Sequence, residues 1–305
     1  LHLARTTITR ERLALTAISE RFMSNVSFRN SGSEGSARAG GVTYLKRYWK
    51  HRELLAELVR RDVNEAYKGS MLASFWAVLH PILLCGLYLF VFGFVFVARL
   101  GVELPKEPDF AVMLLCGLAS WLAVQAALTK SASSLVASSN LVKQVVFPVE
   151  LLPARSALAA QLPLLIGIGL VALYSLVRFG VISPMLPLVL YVVAAQVLML
   201  IGFALFASVL TVFLRDVRDV VLFFTSFGLF LAPVIYVPGS LPLWFNYVLY
   251  ANPFSYAIWC LQDIFYFQSF HHSWAWLIVG ILAVTIFDLG CRFFERTRHN
   301  LGDAL

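Results

Sequence analysis

Along this chain, charged residues bracket six long stretches that contain no Asp, Glu, Lys or Arg: Gly69–Ala98 (30 residues), Phe110–Thr129 (20), Ser156–Val177 (22), Phe179–Leu214 (36), Val220–Gln262 (43) and Ile264–Phe287 (24). About 20 apolar residues cross the hydrocarbon of a bilayer as a helix, whereas spanning strands need about 9–11 residues with dyad alternation. The six stretches have the helical length and lack the alternation. The pattern predicts an all-α integral membrane protein with six transmembrane helices. The 43-residue stretch is long enough for two crossings, but its second half carries Pro238, Gly239, Pro242, Asn246, Asn252 and Pro253. Such residues interrupt helices and need buried or watered backbone. Leu241–Gln262 therefore reads as an outer-side re-entrant or surface-lying element between spans five and six.

Composition agrees with this reading: 60% of residues are hydrophobic and 13% charged, with a mean hydropathy of +0.79. An ordinary soluble domain has about 45–50% and about 25%. The net charge of +7 is unevenly placed, since residues 1–75 hold 13 Lys/Arg against 7 Asp/Glu. By the positive-inside rule the amino terminus is cytoplasmic. With six crossings, only Arg99, Lys106 and Arg178 of the 24 Lys/Arg fall outside, and the carboxyl terminus is cytoplasmic too. A seventh crossing would put Arg292, Arg296 and Arg298 outside.

Three regions follow. Residues 1–43 contain no apolar run of signal-peptide length, and Ser24–Gly41 is rich in Ser, Gly and Arg, so they read as a disordered cytoplasmic tail. Residues 44–75 hold a helical pattern and the approach to the first span. Leu45, Tyr48, Trp49, Leu55, Ala56 and Val59 share one face, with Lys46, Lys50, Glu53, Glu57 and Arg61 opposite, as in a helix lying at a membrane interface. The same periodicity suits a cytosolic helix packed on a partner. Residues 76–305 form the six-span domain.

The chain has no G-x-x-x-x-G-K-[ST] phosphate loop, G-x-S-x-G elbow or H-E-x-x-H helix. An enzyme is therefore not expected. Cys85, Cys116, Cys260 and Cys291 are isolated and read as packing residues. His271 and His272 read as surface residues. The acids Glu103, Glu107, Asp109 and Asp263 are too scattered for the centre that a membrane glycosyltransferase needs. Ion-coupled transporters keep ionisable residues within their spans, and the expected span interiors have none. Energy for any transport must come from another subunit.

Specific residues then carry a resemblance. Arg60-Arg61-Asp62, Tyr67-Lys68-Gly69-Ser70, Trp76 and Pro81 resemble the opening of permease subunits of ATP-binding-cassette exporters of the polysaccharide class, the ABC-2 type that exports O-antigen, capsule and teichoic acid chains. Three further stretches agree in order: Lys143–Glu150 with Pro153, Phe213–Val217, and Pro233-Val234-Ile235-Tyr236 followed by Asn252-Pro253. The resemblance covers about residues 44–305. It departs from the family pattern at Ala66, at Leu72-Ala73 and near Gln262, where the pattern often has a basic residue, Leu-Gly and an Arg.

The resemblance implies a half-transporter of the bacterial cytoplasmic (inner) membrane. Two copies would form the conduit, and two separate ATP-binding-cassette ATPase subunits would drive it. ATP and Mg would be bound by those subunits; no cofactor or metal is expected on this chain, and no nucleic acid is expected as a partner. The cargo would be a lipid-linked glycan, with drug or small-lipid export as the alternative within the same superfamily. The resemblance further implies that the Lys130–Arg155 loop docks the ATPase, with Lys143, Glu150 and Arg155 as its charged positions. Without the resemblance, an ordinary solvated loop whose Pro148 and Pro153 end helices is the better reading. It also implies that spans one and five line the conduit. Tyr88, Phe92 and Phe96 share one helical face, as do Phe223, Phe227 and Phe230. Aromatic rings can stack on the C–H faces of sugars, but lipid accepts the same rings, and the residues leave both readings open.

Overall fold

The computed structural model describes residues 40–65, 73–95, 110–139, 147–180, 183–236 and 242–304. Their regular structure is all helical, with no strand among the described residues. Phe96, Lys143, the tail before residue 40 and the acids Glu103, Glu107 and Asp109 lie outside them.

Two amino-terminal helices, α1 (Gly41–Lys50) and α2 (Arg52–Glu65), precede the apolar ones. The expected single helix from Tyr44 is thus two, broken at His51, and it begins at Gly41. Distant partners account for this. The Gly41 N–H, an orphan donor of the first turn, donates to Asp288 at 2.8 Å. Tyr44 and Tyr48 are buried, whereas Leu45 and Trp49, expected on the same face as Tyr48, are exposed. Packing has rotated the face that the periodicity suggested.

Four helical segments are long and apolar enough to cross a membrane: Phe110–Ala132, Leu151–Val177, Leu186–Phe213 and Ser273–Arg298. They correspond to the expected second, third, fourth and sixth spans. The third is two helices, α6 (Leu151–Ala159) and α7 (Leu162–Phe179), because Pro163 in the first turn of α7 supplies no N–H to continue α6. The expected first span contains α3 (Ala73–Phe90), with Pro81 inside it, followed by a π-helical turn at Val91–Val95. In the fifth, α9 (Val217–Gly228) runs on through a 3-10 turn, Leu229–Leu231, and stops before Pro233. Those 15 residues rise only about 22 Å, less than the hydrocarbon thickness. The multi-pass helical architecture is therefore plain, with four of the six expected spans both long and apolar enough to cross among the described residues.

The central element is α4 (Phe110–Ala132), buried along most of its length and followed by the one-turn helix α5 (Ser134–Ala137). It packs against α6, α7, α8 (Val189–Phe213), α9 and α11 (Ser255–Gln262). Small residues set these contacts. Any Cβ at Gly167 of α7 would collide with Ala119, and one at Gly228 of α9 with the Trp121 ring. The most extensive interface joins α8 to the last helix, α12 (Ser273–Ala304). There Gly202 lies against the backbone of Ile286 and Phe287, and Gly290 against the backbone of Gly202. Without a hydrophobic drive between helices in lipid, such close backbone approach is a main source of association. The four cysteines are buried and free, as packing residues should be.

After α9, two short helices occupy the stretch read as re-entrant: α10 (Leu243–Ala251) and α11, separated at Asn252-Pro253. At 9 and 8 residues neither is long enough to cross. A π-helical turn, Asp263–Phe267, follows α11. Asp263 is fully buried and accepts from the His272 backbone N–H, from Trp276 Nε1 at 2.9 Å and pairs with His272 Nδ1 at 2.8 Å. His272 is therefore held at the start of α12, which corrects its reading as a plain surface residue. Asp263 is taken up in fixing that corner.

Candidate functional site

Two features of the fold gather the residues that the sequence marked: an ionic network joining the amino-terminal helices to the 147–155 segment and α12, and the aromatic faces of α3 and α9.

In the network, Arg47 of α1 sits between two buried carboxylates. Its Nη1 lies 3.0 Å from Glu295 Oε2 and 3.5 Å from Glu150 Oε1, and its Nη2 is 3.4 Å from Glu295 Oε1. The Tyr44 hydroxyl donates to Glu295 Oε2 at 2.7 Å, and the Tyr48 hydroxyl to the Glu150 carbonyl at 3.4 Å. Burial, reinforced by the hydrogen bond to Glu295 and its charge, pushes the Tyr44 phenol far above its ordinary range. It therefore remains a donor. For Arg47, burial opposes the charge, but the hydrogen bond and charge of Glu295, followed by Glu150, overcome it and raise its pKa. Two acids sharing one guanidinium make a junction that is costly to open.

A second junction lies at the end of α2. Asp62, buried, is 3.2 Å from Lys130 Nζ and 3.7 Å from Arg155 Nε. Lys130 also donates to the Asp62 carbonyl at 3.2 Å, and Arg155 to the Ser138 hydroxyl at 3.2 Å. The two ends of the Lys130–Arg155 loop are thus clamped onto α2 by one aspartate. Glu150 and Arg155 face inward to these junctions. Periodicity gave no signal for Arg47 or Glu295 as partners, because 248 residues separate them. The available hint was an acid at 295 among Arg292, Arg296 and Arg298.

On the aromatic faces, Tyr88 and Phe92 of the first apolar segment are half-buried and stacked, with centroids 6.0 Å apart and planes 4° from parallel. Phe223 and Phe227 of α9 and Phe230 of the 3-10 turn after it are exposed, with Phe223 and Phe227 in ring contact at 4.6 Å. Phe224 joins them on the exposed side. The opposite side of α9 is fixed to α4 by a hydrogen bond from Trp121 Nε1 to the Thr225 carbonyl at 3.2 Å. Both α3 and α9 lean on α4.

The break after α9 is closed by the side chains of Asn252 and Gln262. Asn252 Nδ2 donates to the Leu231 carbonyl at 3.2 Å and its Oδ1 accepts from the Phe254 N–H at 3.0 Å. Gln262 Nε2 donates to the Pro233 carbonyl at 2.8 Å. Carbonyls left orphaned at the end of a helix need such donors when buried. Asn252 and Gln262 thus tie the two ends of α11 to the break at Leu231–Pro233.

Residues 53–266 match the family model described as ABC-2 type transporter. The chain belongs to this family. The ABC-2 chain is similar to the O-antigen export system permease protein RfbA of Klebsiella pneumoniae, with 28% identity over 41% of this chain and 46% of the relative. A second K. pneumoniae protein of that name is 26% identical over 35% and 38%. One from Myxococcus xanthus is 25% identical over 42% and 49%. The matched stretch spans less than half the length of each of these relatives. Family membership makes this a multi-pass membrane transport chain of an ABC transporter, and the resemblance read from the sequence is to the same class.

Proposed function

We propose that this chain is the membrane half of an ATP-driven exporter of a lipid-linked polysaccharide in a bacterial cytoplasmic membrane. The observation that carries the reading is the similarity of an ABC-2 chain to O-antigen export permeases. Two copies form the conduit, with two separate ATPase subunits beneath them. Each copy crosses six times, both termini lie in the cytoplasm, and Leu241–Gln262 forms the outer re-entrant element.

In this reading the ATPase docks on the Lys130–Arg155 loop, through Lys143 and the exposed parts of the loop. Glu150 and Arg155 pass movement inward. A displacement of the loop pulls on Asp62 and on Arg47, and through them on α2, α1 and α12. On the conduit side, Tyr88, Phe92, Phe96 and the phenyl rings of α9 offer flat apolar surfaces to sugar C–H faces. They provide few fixed hydrogen bonds that would hold a moving polymer.

Replacing Tyr88, Phe92 and Phe227 by Ala tests the reading in a strain whose own export permease is deleted and which carries this chain with its ATPase. Surface glycan should fall while the permease–ATPase complex still co-purifies. Full glycan display by the triple variant would remove the lining role. No glycan display by the intact chain with its ATPase would remove the polysaccharide cargo.

A further inference from the structure

The close glycine contact between α8 and α12 leaves a groove beside it that the transport reading does not use. Its volume is about 510 Å³, and its floor includes Gly202 and Gly290. Along α12 the lining residues Ile286, Leu289, Phe293 and Arg296 recur at three- and four-residue spacing, so they form one stripe. That stripe rises about 15 Å, roughly one leaflet of hydrocarbon. It changes character along its length, from Ile286, Leu289 and Phe293 to Arg296 at one end, with Arg292 beside Phe293. Phe206 closes the other wall, its ring 4.6 Å from that of Phe293.

Of the two guanidinium groups, one is neutralised by a neighbouring acid and one is not. Glu295 is engaged by Arg47 and Tyr44. Asp288 pairs with Arg292 at 2.6 Å and accepts from Gly41. Arg296 is exposed and forms no ion pair among the described residues. An apolar trough of about 10 Å, with Arg292 along it and the unpaired guanidinium of Arg296 at its end, follows the order of acyl chain and anionic headgroup in a phospholipid. Guanidinium forks suit phosphate oxygens, and long basic side chains at a helix end reach the headgroup layer.

We propose that this groove is a binding site for one anionic glycerophospholipid of the surrounding bilayer, with an acyl chain against Leu289 and Phe293 and its phosphate on Arg292 and Arg296. The proposal needs α12 to cross the bilayer and does not depend on the cargo.

Native mass spectrometry of the purified full chain, titrated with dioleoyl phosphatidylglycerol or dioleoyl phosphatidylcholine, tests it. One phosphatidylglycerol should be retained, and R292Q/R296Q should weaken it at least about tenfold, the loss expected for charge-assisted bonds. R292K/R296K should keep the preference for the anionic lipid, which separates lost charge from misfolding. Leu289→Trp, which fills the trough and leaves both arginines, should also expel the lipid. Free glycerol phosphate should not compete. Equal retention of the two lipids, unchanged retention by R292Q/R296Q or by Leu289→Trp, or displacement by glycerol phosphate would each overturn the proposal. None of these outcomes depends on glycan display.

Discussion

Replacing Arg47 by Met removes the one cation between Glu150 and Glu295 while keeping much of its apolar stem. The two carboxylate side chains are only 4% and 9% exposed, so water replaces little of what they lose. Glu295 keeps the Tyr44 hydroxyl, but Glu150 loses its ion pair, and its Oε2 already lacks a hydrogen-bond partner. Breaking a buried pair by deleting one partner costs about 3–5 kcal/mol. Arg47 itself is 30% exposed, which admits some water to the gap. The lower end, about 3 kcal/mol, is therefore expected for Arg47→Met. Arg47→Lys keeps the charge but loses the fork that spans both oxygens of Glu295, and should cost about 1 kcal/mol. Adding Glu150→Gln to Arg47→Met removes one stranded charge and should recover part of the loss. Unfolding of the purified chain by sodium dodecyl sulfate, followed by far-ultraviolet circular dichroism, measures all three. An Arg47→Met chain within about 0.5 kcal/mol of the wild type, the range of ordinary surface substitutions, would refute the reasoning. So would the absence of any recovery in the double variant.

Gln262→Leu strands the Pro233 carbonyl at the end of α9 and should cost about 1–3 kcal/mol in the same titration; an unchanged midpoint would dissociate α11 from that break. The raised pKa of Tyr44 makes stability depend on pH in one direction: above 10.0, its ordinary value, the unfolded phenol ionises while the folded one does not. Its contribution is therefore complete below pH 10 and declines above it by about 1.4 kcal/mol per pH unit. Tyr44→Phe lacks this slope, so its stability curve should approach that of the wild type as pH rises above 10, and parallel curves there would exclude a buried, protonated phenol.

The helical plan was legible from short-range chemistry. A charge-free run of 20 or more residues has few ways to satisfy its backbone in lipid, and a helix does so within the segment. Gly69–Ala98 and the five runs after it therefore announced helices before any contact was known. The proline- and asparagine-bearing half of the fifth run announced breaks, and helices of 9 and 8 residues are found there. The motif pieces were legible as a family because their order is a property of the chain.

Tertiary contacts decided which faces turn inward and which charges meet. Leu45 and Trp49 are as apolar as Tyr44 and Tyr48, yet the tyrosines are buried because their hydroxyls reach Glu295 and the Glu150 carbonyl. Glu150 and Arg155 read as loop charges, but Arg47 and Asp62 draw them inward. Asn252 and Gln262 gained their meaning from carbonyls 21 and 29 residues away. In each case a side chain's neighbours along the chain fix its helical phase, whereas its desolvation cost is met by groups that folding alone brings near.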